Sequence, residues 1–368
     1  MAGAVTTTAP LKAPFPYFGG KSRAADLIWD RFGNVPNYVE PFAGSLAVLL
    51  ARPHAPRVET VNDLDGLLSN AWRAIRADPD AVAYHADHPV VEVDLHARHV
   101  ALVAARETLT ARLMADPEHY DARLAGWWIW GACNWIGGGW CDGSGPWVVR
   151  DGMLVNRREV GELAGVSRKL PHLGDAGKGV SRQLPHLGNA GAGISRPGIG
   201  ISRQLPHVAT WRGDLHPAMH PDAITTWMRD LSARLRRVRM CCGSWDRVVG
   251  ESVTTKHGMT AVLLDPPYNA EDADNAVYGV DHDAAVSAAA RAWAAENGEN
   301  PLLRIALCGY DGEHHMPAGW VKVRWQARKG YKKVNGDNTH NGHREVIWFS
   351  PHCLRPEDHG PLFGGLAP

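Results

Sequence analysis

Short, almost wholly apolar runs closed by clusters of turn residues set the hydrophobic pattern of this chain, and they predict buried strands. Ala261-Val262-Leu263-Leu264 stops abruptly at Asp265-Pro266-Pro267-Tyr268. Tyr38-Val39-Glu40 is followed by a Pro-Phe-Ala-Gly turn and then by the apolar helix Leu46-Ala47-Val48-Leu49-Leu50. Val58-Glu59-Thr60-Val61 reads as a second strand ending in Asn62-Asp63. A helix from about His282 to Glu296 precedes the strand Leu303-Arg304-Ile305-Ala306-Leu307, and Glu345-Val346-Ile347-Trp348-Phe349 reads as the last strand. Between them, Asn269 to Asp281 is polar, acidic and without apolar periodicity, a loop beside the end of the Ala261 strand with Tyr278 within it as a possible base contact. Strands that alternate with helices imply an α/β core with a mostly parallel sheet and helices on both faces. No stretch approaches the ~20 apolar residues of a membrane helix.

Chemistry enters where those strands end. In Asp265-Pro266-Pro267-Tyr268 a carboxylate can accept one hydrogen of a planar amino group, the carbonyl of Pro266 can accept the other, and the tyrosine ring can stack on the base that carries it. Holding both hydrogens turns the nitrogen lone pair out of the ring plane, toward an incoming methyl group. Two prolines after a strand also serve simply as a stiff turn. Gly44, after the Tyr38 strand, lets the backbone approach a ligand at the carboxyl end of a strand, where open α/β sheets bind nucleotides. The GxGxxG fingerprint and the phosphate-binding GKS or GKT loop are both missing, which disfavours dinucleotides and nucleoside triphosphates. Asp63 stands where a carboxylate accepts from ribose hydroxyls; the adenosyl part of S-adenosylmethionine offers such a ribose.

With these residues in order, the chain resembles the Dam-like DNA adenine-N6 methyltransferases. Pro14-Phe15-Pro16-Tyr17-Phe18-Gly19-Gly20-Lys21 is similar to the family's opening segment, Tyr38 to Ser45 to its YVEPFAGS segment, Asn62-Asp63 follows as in the family, and Asp265 to Tyr268 is its catalytic motif. The resemblance covers roughly residues 14 to 80 and 236 to 350. It implies a Rossmann-like methyltransferase core and S-adenosylmethionine as methyl donor. Tyr17 and Lys21 would line the methionine end of the cofactor pocket, Glu40 would belong to that pocket, Phe42 would pack on the cofactor, Gly44 would give it room and Asp63 would hold its ribose. Asp265 would face both the methionine amino group and the target amine, with Pro266, Pro267 and Tyr268 completing the catalytic motif. Cys242-Gly243-Ser244-Trp245 is similar to the family's GDF segment, with Ser244 in place of an acid and Trp245 in place of phenylalanine. Stacking on the adenine ring is therefore expected to persist, while the acid that would accept from its amino group is replaced by Ser244.

Length adds a second unit. At 368 residues the chain exceeds one ordinary domain, and 45% hydrophobic residues suffice for a large core. We expect a discontinuous core of residues 1–80 and 238–350, an inserted target-recognition region of 81–237, and a poorly ordered tail of 351–368. The net charge is formally zero, which gives no overall basic footprint for nucleic acid. Charge is instead local: ten basic residues against four acids lie between Arg150 and Arg212. The same stretch holds an internal repeat over 165–207, with Gly-Val-Ser-Arg or Gly-Ile-Ser-Arg beginning at Gly165, Gly179, Gly193 and Gly200. Its glycines and prolines forbid a continuous helix. The repeat is either an expanded surface loop or a DNA-contacting array that presents Arg168, Arg182, Arg196 and Arg203.

Upstream, Trp127 to Trp140 is rich in tryptophan, and Asn134 matches the asparagine of the family's FNG segment and so implies a DNA contact. Trp127, Trp128 and Trp130 fit better as packing between insert and core, and the glycine-rich end, 137–145, as a loop against DNA. Near the C-terminus Arg328, Lys329, Lys332 and Lys333 have the composition of a phosphate-contacting loop, or of a solvated hairpin. Six cysteines without C-x-x-C spacing suggest reduced thiols, and nineteen histidines without ligand spacing give no metal site. The start has no basic region followed by an apolar one, so a cytoplasmic protein is expected.

These features imply a site-specific adenine-N6 methyltransferase acting on double-stranded DNA, a monomer or weak dimer, of phage or bacterial type, without a metal and with a restriction enzyme as a possible partner. Cytosine-N4 methylation and a non-catalytic cofactor- or DNA-binding regulator are the alternatives.

Overall fold

The apolar runs form the middle of one seven-stranded sheet. A computed structural model describes residues 11–17, 19–135, 140–141, 147–150, 153–156, 222–268, 280–325 and 345–355. In chain order the elements are α1 (Ala25–Phe32), β1 (Asn37–Glu40), α2 (Ala47–Leu50), β2 (Val58–Asp63), α3 (Gly66–Ala77), α4 (Pro79–Ala86), α5 (Glu92–Ala115), α6 (Ala122–Asn134), β3 (Trp147–Arg150), β4 (Met153–Asn156), α7 (Ala223–Leu235), β5 (Arg239–Cys242), β6 (Thr260–Leu264), α8 (Val280–Asn297), β7 (Leu303–Tyr310), β8 (Val321–Arg324) and β9 (Glu345–Phe349). The strand order is β5-β2-β1-β6-β7-β9-β8, and β3 with β4 forms a separate antiparallel ribbon.

Five neighbouring strands, β5, β2, β1, β6 and β7, are parallel, and β9 runs antiparallel to both β7 and β8. This is the Rossmann-like, mostly parallel sheet expected from the sequence. Every residue of β1, β6 and β9 is buried, as continuous apolar runs require when both faces of a sheet are covered. From β1 the chain winds outward through β2 to β5, and from β6 it winds the other way to β7. The strand order therefore reverses between β1 and β6, and the crevice at their carboxyl ends is the switch point where such sheets bind ligands.

Local signals set the helix starts around this sheet. Asp65, Asp78 and Asp121 each cap a helix by accepting a backbone N–H, from Leu67, Ala81 and Leu124 respectively, and Pro79 occupies the first turn of α4. The Asn70 side chain and the Asp121 backbone exchange two hydrogen bonds of 2.8 Å, tying α3 to the start of α6. Arg73, buried in α3, donates to the carbonyls of Leu113, Asp116 and His119 and so satisfies the end of α5.

The described helices of residues 81–237 share one apolar cluster with the core: Leu102, Leu109, Ile129, Met228 and Leu231 pack in the same group as Phe15, Leu49 and Trp72. Trp128 and Trp130 are buried, and Trp127 is half-buried against that cluster, so these three tryptophans do pack between helices. A buried ion cluster fastens α7 to β2, with both oxygens of Glu59 held by Arg234 at 2.7 and 2.9 Å and Arg52 adding a third bond at 3.2 Å.

The chain after β9 departs from the expected tail at its start. Cys353 is buried, and the Leu354 N–H donates to the Arg31 carbonyl at 2.8 Å, which docks residues 351–355 on α1. All six cysteines are free thiols. Among the described residues no helix is long and apolar enough to cross a membrane.

Candidate active site

The turns that leave β1, β2, β5 and β6 converge on the switch-point crevice. Asn62, at the end of β2, holds three of them together: its side-chain amide donates to the carbonyls of Pro41 at 3.1 Å and Gly243 at 2.9 Å, and its own carbonyl accepts from Ala43 N–H at 2.8 Å. Gly44 then takes a positive φ of 47° and donates its N–H to Asp63 Oδ2 at 3.0 Å. A Cβ there would lie 2.7 Å from Cε1 of Tyr17, so only glycine lets the Tyr17 ring lie across the turn. Tyr17 keeps its outer face open, 44% exposed.

Asp63 Oδ1 accepts a second backbone bond, from Asp65 N–H at 2.9 Å. Burial nevertheless pushes its carboxyl up to about 6, against the lowering effect of these N–H donors. On the other side of the crevice Phe42 and Trp245 stack, with ring centroids 5.9 Å apart and planes 25° from parallel. Trp245 opens a short 3-10 turn after β5, and Ser244 before it is exposed. A glycine turn, a carboxylate and a stacked aromatic pair are groups suited to an adenosyl moiety, so the residues present fit the cofactor that the sequence implies.

Deeper in the crevice the opening segment meets the end of β6. Lys21 Nζ lies 2.8 Å from Asp265 Oδ2, donates to the Gly19 carbonyl at 2.8 Å, and sits over the rings of Tyr268 and Trp325 at 5.0 and 5.7 Å. Burial alone would lower the lysine, but the charges around it, Asp265 foremost, hold it above its ordinary value. It is a fixed cation. The other oxygen of Asp265, Oδ1, accepts from the Tyr268 hydroxyl at 3.0 Å. Burial, with Asp265 beside it, pushes the Tyr268 phenol well up, so it remains a donor. Its ring packs edge-on against Tyr310 with centroids 4.8 Å apart. Pro266 is buried and Pro267 half-buried in the same turn.

Gly44 with Asp63, Phe42 with Trp245, and Lys21 with Asp265 and Tyr268 thus form three contact groups after the carboxyl ends of the parallel strands. Glu40 is buried at the end of β1, where its carboxylate accepts from the Tyr38 hydroxyl at 3.1 Å, and burial pushes it well above the usual carboxylate range. Asn134 ends α6, buried, donating to the Trp130 carbonyl at 2.6 Å. Arg168, Arg182, Arg196, Arg203, Lys329, Lys332 and Lys333 lie outside the described residues, as do the repeat and Tyr278. Among the described residues no group of three His, Cys, Asp or Glu could hold a metal ion.

Sequence reasoning passed over two residues of this site. The sequence marks Asn62 only as the neighbour of Asp63, although its amide ties the turns after β1 and β5 to the end of β2. Glu345 opens β9 with a charge, which reads as a strand boundary; in the fold it is buried, with Oε2 3.9 Å from Lys21 Nζ.

Gly44 and Asp63 at the ends of β1 and β2, with an Asp-Pro-Pro-Tyr turn at the end of β6, are consistent with a Rossmann-like methyltransferase core. The family described as D12 class N6 adenine-specific DNA methyltransferase matches residues 17–99. This match supports a Dam-like adenine-N6 DNA methyltransferase family for the chain, and that family implies S-adenosylmethionine as the methyl donor. The matched residues carry Tyr17, Lys21, Glu40, Phe42, Gly44 and Asp63, and the Lys21–Asp265 ion pair joins them to the Asp-Pro-Pro-Tyr turn. No curated protein sequence matches the chain.

Proposed function

We propose that the protein methylates adenine N6 at a defined sequence in double-stranded DNA, with Asp265, Pro266 and Tyr268 holding the target base. The observation that carries this reading is the meeting of Lys21 and Asp265 at 2.8 Å, which puts the cofactor-side residues and the Asp-Pro-Pro-Tyr turn on one crevice. The donor supplies a methyl group on a sulfonium. Phe42, Gly44 and Asp63 bind its nucleoside end; Tyr17 and Lys21 stand at its methionine end.

The target adenine leaves the stack, because N6 is otherwise paired within the duplex. Asp265 and the Pro266 carbonyl accept its two amino hydrogens and aim the lone pair. Tyr268 gives up its bond to Asp265 Oδ1 as its ring turns to stack on the base, which frees that oxygen for the amine. Catalysis then comes from positioning and from acceptors that grip a nitrogen becoming positive, and Asp265 need not be a strong base.

The test is incubation of the purified protein with isotope-labelled donor and duplex DNA, followed by mass spectrometry of the digested nucleosides. N6-methyladenine from the wild type and none from Asp265→Ala is the expected result. N4-methylcytosine would establish the cytosine reading instead, and no methylated base on several DNA sources would favour a non-catalytic binder.

A further inference from the structure

The carboxylate of Asp265 is fully engaged. Lys21 holds Oδ2 and Tyr268 holds Oδ1. A carboxylate oxygen can accept two bonds, but one already neutralised by an ammonium at 2.8 Å is a weaker acceptor for a second donor. Tyr268 can release Oδ1 to the target amine, but while Lys21 neutralises Oδ2 the carboxylate stays a weak acceptor, so Lys21 has to loosen its hold.

A second carboxylate stands ready for it. Because β9 runs antiparallel to β7, its first residue falls at the carboxyl end of the parallel strands, the edge that carries Asp265. The register pairs Glu345 with Tyr310, the ring on which Tyr268 packs, and the Glu345 backbone carbonyl accepts from Trp325 N–H. The backbone of Glu345 is thereby fixed. Its Oε2 is buried and makes no hydrogen bond among the described residues, yet lies 3.9 Å from Lys21 Nζ. The faces of Tyr268 and Trp325 flank the ammonium, so a small movement toward Glu345 keeps its ring contacts.

The geometry points to Glu345 as a positioning residue of the methyl-transfer site, the second anchor that draws Lys21 from Asp265 Oδ2 and so strengthens the carboxylate as acceptor for the reacting amine at Oδ1. This inference rests on the methyltransferase reading of the crevice. The groups facing Glu345 are Lys21 from the opening segment, Asp265 and Tyr268 after β6, Cys308 and Tyr310 on β7, and the neutral indole of Trp325 after β8. Burial pushes the Glu345 carboxyl up to about 7, Lys21 pulling it down and Asp265 pushing it further up. It is therefore divided between its two states near neutrality and responds to any added positive charge by ionising.

Glu345→Gln keeps the shape and removes the charge. Turnover is measured across pH at saturating donor, with the Michaelis constant for the donor determined alongside. The expected outcome is a wild-type profile with an acid limb near neutral pH and, in Glu345→Gln, loss of that limb with a fall in kcat of about tenfold or more and little change in the Michaelis constant. A variant with wild-type kcat and an unchanged acid limb overturns the proposal. A second readout needs no turnover: carbon-13 NMR of glutamate-labelled protein, in which the carboxyl signal missing from Glu345→Gln titrates near neutrality and moves upward in Lys21→Gln. A signal in the ordinary glutamate range, or one indifferent to Lys21→Gln, overturns the pairing. A wild type that makes no methyladenine refutes the methyltransferase reading instead, and the NMR titration still decides whether Glu345 and Lys21 are coupled.

Discussion

Asp63→Asn separates a buried carboxylate's cost to the fold from its use in binding. The folded carboxyl sits near 6 against an ordinary 3.8, so the free energy separating its two protonation states differs by about 3 kcal/mol between folded and unfolded chain. The sign follows from a raised folded value. Stability from this group is fully present below about pH 4, is lost as pH rises to about 6, and stays lost above that. Asparagine cannot titrate. It also gives only one acceptor oxygen to the N–H groups of Gly44 and Asp65, a pH-independent loss of about 1–2 kcal/mol.

The stability of Asp63→Asn relative to wild type should therefore improve by about 2 kcal/mol between about pH 4.5 and about pH 7.5, measured by urea unfolding without cofactor. Glu345 and Glu40 titrate in both proteins, and their contributions cancel in the difference. Binding should move the other way. If ribose hydroxyls donate to the ionised carboxylate as proposed, the affinity of the wild type for S-adenosylhomocysteine should rise about tenfold between about pH 5 and about pH 7 and level off above. The variant should bind weakly at every pH. A stability difference independent of pH, together with flat wild-type binding, would refute both the burial and the ribose role.

Two further outcomes test the DNA side of the site. Tyr268→Ala should lose turnover yet still bind S-adenosylhomocysteine in calorimetry, since its ring is assigned to the flipped base; equal losses of cofactor affinity in Tyr268→Ala and Asp63→Ala would put the ring in the cofactor pocket. Changing Arg168, Arg182, Arg196 and Arg203 together to Gln should lower the slope of log DNA affinity against log salt by about 0.9 per lost phosphate contact, with cofactor affinity unchanged. Superimposable slopes would leave the repeat as a surface expansion.

The strands that were legible in the sequence are those whose local pattern and tertiary role coincide. Ala261–Leu264 and Val346–Phe349 are covered on both faces, so burial is written as an unbroken apolar run and the turn residues mark the ends. β5 was not legible, because Arg239 and Met240 point partly to solvent at the sheet edge and carry no such run. The helices α5 and α6 were hidden for a different reason: their apolar residues serve several neighbours, including Phe15 and Trp72, so no single face carries the helical period, although the packing of the α6 tryptophans was legible.

Site residues divide along the same line. Gly44, Asp63 and Asp265 stand at strand ends, where the sequence shows both the strand and the turn, and a site at the switch point follows from strand order alone. Glu345 has no such mark. Its place beside Lys21 depends on β9 entering the sheet backwards, so that the beginning of the last strand meets the end of β6. A charged residue before an apolar run ordinarily reads as the solvent-exposed end of a strand, and only the antiparallel register turns that end into the floor of the crevice. The cost of burying a second carboxylate beside Asp265 is visible in the carboxyl's rise to about 7, and Lys21 offsets only part of it. A fold under selection for stability alone would gain by placing an apolar residue there, which is why the charge at this position argues for work done on Lys21.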